Sequence, residues 1–86
     1  MATLIATHEV EDVDHWLSSP KREEIMGPLG ITVRTFIGEP GSKTVGLIAE
    51  IPDLDAWKAM MESDAGAEAM KYDGVKPETL VVLLEA

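Results

Sequence analysis

With 86 residues, the chain has room for one domain, residues 1–86, and a domain of that size buries only about 60–65% of its unfolded surface. Such domains usually gain extra stability from disulfides, a metal or oligomerisation, and the absence of cysteine excludes disulfides and thiolate-bound zinc, leaving oligomerisation. Sixteen acidic against seven basic side chains give a formal charge of −9, which repels phosphate backbones and anionic lipid headgroups, so no nucleic acid and no membrane is expected as a partner.

The amino end, Met1-Ala2-Thr3-Leu4-Ile5-Ala6-Thr7-His8-Glu9, lacks the basic start and long apolar core of a signal peptide, and no apolar run reaches spanning length. A cytoplasmic location is therefore expected. Residues 3–8 favour β-structure and predict a first strand. Val13, Trp16, Leu17 and Pro20, then Ile25 and Met26, recur at roughly helical spacing. Glu11, Asp12 and Asp14 stand where the positive end of a helix dipole favours carboxylates. Pro20, as a first helical residue after a serine cap, predicts a break near Ser19. Gly27-Pro28-Leu29-Gly30 should close the helical region, because proline disfavours the helical conformation at Gly27 and Gly30 tolerates positive φ.

In the second strand, residues 31–37, Ile31, Val33, Thr35 and Ile37 share one face, and Thr32, Arg34 and Phe36 share the other. Gly38-Glu39-Pro40-Gly41-Ser42 reads as a hairpin connection to a third strand over residues 43–51. Asp53 caps the next helix, whose apolar stripe is Leu54, Trp57 and Met61. Ser63 and Asp64 restart the chain, and the alanine-rich segment 65–71 predicts a further short helix before the Asp73-Gly74 turn. Residues 79–85 close the chain as a strand.

The order βαββαβ defines an α+β, ferredoxin-like fold: a four-stranded antiparallel sheet with its helices on one face. A sheet with one wet face should alternate apolar and polar residues. Leu80-Val81-Val82-Leu83-Leu84 is apolar on both faces, and Ile48 opposes the apolar set Val45, Leu47 and Ala49. One layer of helices covers one face only, so the other predicts a homodimer packed sheet to sheet.

The run His8-Glu9-Val10-Glu11-Asp12-Val13-Asp14-His15-Trp16-Leu17 resembles the opening of small dimeric α/β-barrel proteins, in which a strand ends in His and is followed by Val, an acidic residue and a helical Trp. Segments 45–51, 53–61 and 70–75 are similar to the same group's third strand, second helix and Gly-Val return to the last strand. The resemblance covers nearly the whole chain and implies a sheet-to-sheet α/β barrel with a pocket between each sheet and its own helices. It also implies activities such as cofactor-free oxygenation or cyclisation of aromatic polyketides, or lactone isomerisation. Haem-degrading members use a histidine on the second helix; residues 53–71 contain none.

Among groups able to carry chemistry, His8 shares a strand face with Leu4 and Ala6, and its imidazole exchanges protons near neutral pH. A buried histidine bonded to nearby backbone or carboxylate is the alternative. His15, beside Asp14 in an acidic helix start, reads as a solvated surface residue. Arg34 is a candidate for binding a carboxylate or enolate oxygen, or else an ion-pair partner of one of the many acids. Trp16, Phe36, Trp57, Met61 and Tyr72 are candidate substrate-binding residues for a flat apolar ligand, with core packing as the competing explanation.

His8, Glu9, Glu11, Asp12 and His15 lack metal-ligand spacing, so no metal is expected. No phosphate-binding glycine loop is present, and no cofactor is expected. Two functions compete. In one, an enzyme acts on an aromatic or polyketide-like substrate, with His8 abstracting a proton and Arg34 or Trp57 stabilising the enolate. In the other, a non-catalytic module binds a small hydrophobic ligand or a protein.

Overall fold

A computed structural model describes residues 2–86; Met1, the first residue of the amino-terminal segment, lies outside the described residues. Strand β1 (Ala2–Glu9) leads into helices α1 (Val13–Ser18) and α2 (Lys21–Met26), and a 3₁₀ turn (Gly27–Leu29) precedes β2 (Thr32–Ile37). Strand β3 (Thr44–Ile51) is followed by α3 (Leu54–Glu62), α4 (Asp64–Tyr72), a 3₁₀ turn (Pro77–Thr79) and β4 (Val81–Leu84). The strands form one antiparallel sheet in the order β2-β3-β1-β4. This is the ferredoxin-like arrangement expected from the element order.

Local chemistry sets the helix boundaries. The Asp12 side chain accepts from the His15 amide at 3.1 Å, and Asp53 Oδ1 accepts from Asp55 and Ala56 at 3.0 and 3.2 Å, so each carboxylate satisfies orphan donors of a first turn. The first helical segment breaks at Ser19, with Pro20 standing one position earlier than expected, as the cap of α2. Gly27 departs from the expectation for a residue before proline: its φ and ψ of −53° and −51° are helical, and the chain runs on through a 3₁₀ turn. The clash that bars this conformation involves the preceding residue's Cβ, which glycine lacks. Gly30, with φ of 71°, then ends the turn.

The core lies between the helices and one face of the sheet. Alternation brings Leu4, Ala6, His8 and Val10 to that face from β1 and its extension, and Val45, Leu47, Ala49 and Ile51 from β3; all are buried. Trp16 of α1 packs into the same cluster and is 1% exposed. The opposite face carries Ile5, Phe36, Val81 and Leu83, each about half exposed, around Ile48. Arg34 lies opposite Ile48, and Ile48 opposite Ile5, in the sheet register, so this is the apolar surface that the doubled aliphatic pattern of β3 and β4 foretold.

Candidate functional site

Parity along β1 determines where His8 points. Because it lies two and four residues beyond Ala6 and Leu4, its ring enters the layer beneath the helices, where it is 6% exposed. Trp16 meets it edge-on, with ring centroids 5.6 Å apart and planes at 78°. The Arg22 guanidinium, from the first turn of α2, stacks over the same indole at 4.4 Å and directs two nitrogens at the Trp16 carbonyl at 3.4 Å. Its Nη1 is also 4.0 Å from Oδ2 of Asp73, a carboxylate buried at the end of α4.

These side chains border a cavity of about 80 Å³ between the sheet and the helices, partly open to solvent. Trp16, Trp57, Met61 and Met70 contribute to its apolar wall; His8, Arg22 and Asp73 are its polar side chains. Two buried polar atoms on this lining have no protein hydrogen-bond partner, His8 Nδ1 and Asp73 Oδ1. An unsatisfied buried acceptor or donor costs about 1–3 kcal/mol, so native proteins keep few of them.

Burial is the main influence on the His8 imidazole and holds its pKa below the ordinary histidine value. The Glu9 backbone carbonyl and the Asp73 carboxylate pull it back only in part, and the Arg22 cation adds to the depression. Burial likewise lowers the pKa of Arg22, with Asp73 opposing. His8 is therefore neutral at neutral pH. In the unfolded chain its pKa returns to about 6.5, so as pH falls below that value the unfolded state takes up the proton first and stability declines. Denaturant midpoints measured between pH 7.5 and 5.5 should fall with pH, and His8→Gln should flatten that slope. Equal slopes in both proteins would show that His8 does not carry the linkage.

The sequence-predicted site residues separate into three groups. His8, Trp16, Trp57 and Met61 come together around the cavity. Arg34 and Phe36 lie on the opposite face of the sheet, because on β2 the helix-facing parity belongs to Val33 and Thr35; no enolate formed at His8 can reach Arg34 within the same subunit. Tyr72 is 49% exposed at the end of α4, outside the cavity, where its ring meets His15 at 4.9 Å and Lys21 at 5.4 Å. His15 Nε2 bonds the Tyr72 carbonyl at 2.8 Å, so this exposed cluster ties α1 to the end of α4. The candidate site also contains Arg22 and Asp73, whose places in a first helical turn and at a helix end before glycine give no sign of a site in the sequence.

No protein-family model matches the sequence, and no curated protein matches it. Solved structures do share the fold. One described as an antibiotic biosynthesis monooxygenase is 14% identical, with 100% of this chain and 97% of that chain covered and a TM-score of 0.64. A dimeric ferredoxin-like protein of unknown function from Jannaschia sp. is 13% identical over 99% of this chain and 97% of its own, with a TM-score of 0.68. A protein from Deinococcus radiodurans, provisionally assigned as an antibiotic biosynthesis monooxygenase, is 12% identical over 100% and 91%, with a TM-score of 0.61. At these identities the likeness concerns the fold alone, which is ferredoxin-like.

Proposed function

We propose that the protein is a homodimer whose subunits each bind a small apolar, ring-containing molecule between sheet and helices, and that His8 acts there as proton acceptor in a cofactor-free oxygenation or cyclisation. The observation that carries this reading is a buried, neutral imidazole without a protein partner at Nδ1, bordering a largely apolar cavity. A neutral imidazole accepts a proton from an activated C–H or O–H, and the enolate so formed attacks a second position of the same molecule or is oxidised by dioxygen. Trp16, Trp57 and Met61 supply apolar contact area, with methionine adapting to ligand shape. The names of two fold neighbours, both called antibiotic biosynthesis monooxygenases, agree with this class of chemistry.

The test pairs binding with turnover. Phenols and enolisable aryl ketones would be screened by quenching of tryptophan fluorescence, since Trp16 and Trp57 both border the cavity. Compounds that bind would then be followed in air-saturated buffer by oxygen uptake and product mass. His8→Ala is expected to keep the fold and to cut turnover at least about 100-fold. Undiminished turnover in that variant would remove His8 from the reaction.

One observation favours a second reading, ligand binding without chemistry. A cavity of about 80 Å³ is smaller than the roughly 150 Å³ void that accommodates benzene in an apolar core. Even a single ring would have to protrude through the open side or displace Met61 and Met70, and a multi-ring substrate would have to do so further. Saturable binding of single-ring compounds with no product from any of them would support this second reading.

A further inference from the structure

Asp73 is the buried group for which the proposed proton transfer has no use. Its Oδ2 stands 4.0 Å from Arg22, while Oδ1 has no protein partner although the residue is 6% exposed and borders the cavity. Arg22 is already committed to the Trp16 carbonyl and to the face of its indole, which leaves Oδ1 as an acceptor awaiting a donor. A carboxylate oxygen can only accept, so the group that completes it must carry a hydrogen. A negative charge brought by the ligand would have no free partner, because among the described residues the only cation on the cavity lining is Arg22, beside Asp73 itself.

We infer that the cavity is selective for neutral ring compounds bearing a hydroxyl, with Asp73 as the specificity-determining residue that accepts the hydroxyl hydrogen. This rests on the reading that the cavity is a ligand site, and it names what that ligand must carry. Ethers lack the donor, and carboxylates set a second negative charge beside the first. Sites built around a buried polar contact reject analogues that leave it unmade far more strongly than apolar walls reject a misfit.

The test uses the full chain at pH 7.5 and four single-ring probes: phenol, anisole, benzoate and toluene. Dissociation constants are read from the Trp16 indole resonance. Phenol should bind at least about 10-fold more tightly than anisole or benzoate. In Asp73→Ala the preference of phenol over anisole should shrink to less than about 3-fold, with toluene binding unchanged. Asp73→Asn, which removes the charge and keeps the shape, should relieve the exclusion of benzoate. Anisole binding as tightly as phenol in the unaltered protein would overturn the role of Asp73 while leaving the cavity as a ligand site. Failure of all four probes, toluene included, to move the resonance would overturn the ligand site itself. Should Asp73→Ala not fold, the ratio in the unaltered protein and the benzoate result for Asp73→Asn decide the matter.

Discussion

Replacing Gly66 by alanine is expected to destabilise the protein by about 3 kcal/mol, lowering its melting temperature by about 15 °C. Helix propensity alone predicts the opposite sign, because Gly66 lies in the first turn of α4 and alanine is the better helix former by about 1 kcal/mol. Packing decides the matter. A Cβ at this position would stand 2.2 Å from the Met60 carbonyl oxygen and 3.2 Å from its carbonyl carbon, and both are backbone atoms that no rotamer change can move. That same carbonyl accepts from the Ser63 amide at 3.1 Å, and Ser63 Oγ in turn accepts from the Gly66 amide at 3.1 Å. Ser63 thus caps both helices at the tight corner between α3 and α4. Relieving the clash must open the corner and carry Met61, Ala69 and Met70 away from the cavity. Thermal unfolding followed by circular dichroism reads the effect directly, and a melting temperature equal to or above that of the unaltered protein would show that the corner yields without cost.

Gly66 also illustrates what a single sequence conceals. The alanine-rich stretch around it announced a helix and nothing about a neighbouring carbonyl, since close approach is a property of two elements. Strand parity was far more legible. Alternation alone puts His8 on one face with Leu4 and Ala6, and groups Val45, Leu47 and Ala49 on one face of β3, which are the faces the helices cover. On β2 the same rule paired Arg34 with Phe36 but left open which face the helices would cover. Arg22 and Asp73 were illegible for a different reason. Each has a sufficient local explanation, the one in a first helical turn and the other before a glycine with φ of 71°, and only the packing of α2 against α4 makes them neighbours. The side chain proposed as proton acceptor could be read from the pattern; the polar groups beside it, Arg22 and Asp73, could not.

The sheet's open face leads to the other large effect. Ile5, on the inner strand β1, and Leu83, on the edge strand β4 beside it, lie opposite one another in the register of that face and are 47% and 61% exposed, with Ile48, Phe36 and Val81 on the same face. Burying such side chains against a second copy is worth roughly 1.5–3 kcal/mol each, and in a two-fold contact every residue counts twice. The double substitution Ile5→Glu and Leu83→Glu would bring four carboxylates into one contact, so the dimer dissociation constant is expected to rise at least about 1000-fold, equivalent to about 4 kcal/mol. The helix-facing core should tolerate the change, because these positions have the opposite parity to Leu4 and Ala6 and touch none of the cavity wall. Sedimentation should therefore show the unaltered protein as a dimer at micromolar concentration and the variant as a folded monomer with unchanged far-ultraviolet dichroism. Arg34 adds a finer check: it is the single basic side chain among the strand positions of that face, which carries Glu9, Glu50 and Glu85 toward its ends. Its replacement by glutamate should weaken association more at low salt than at high salt. A stable dimer that survives both carboxylates at Ile5 and Leu83 would mean that the copies meet elsewhere, and the apolar face would then need another occupant.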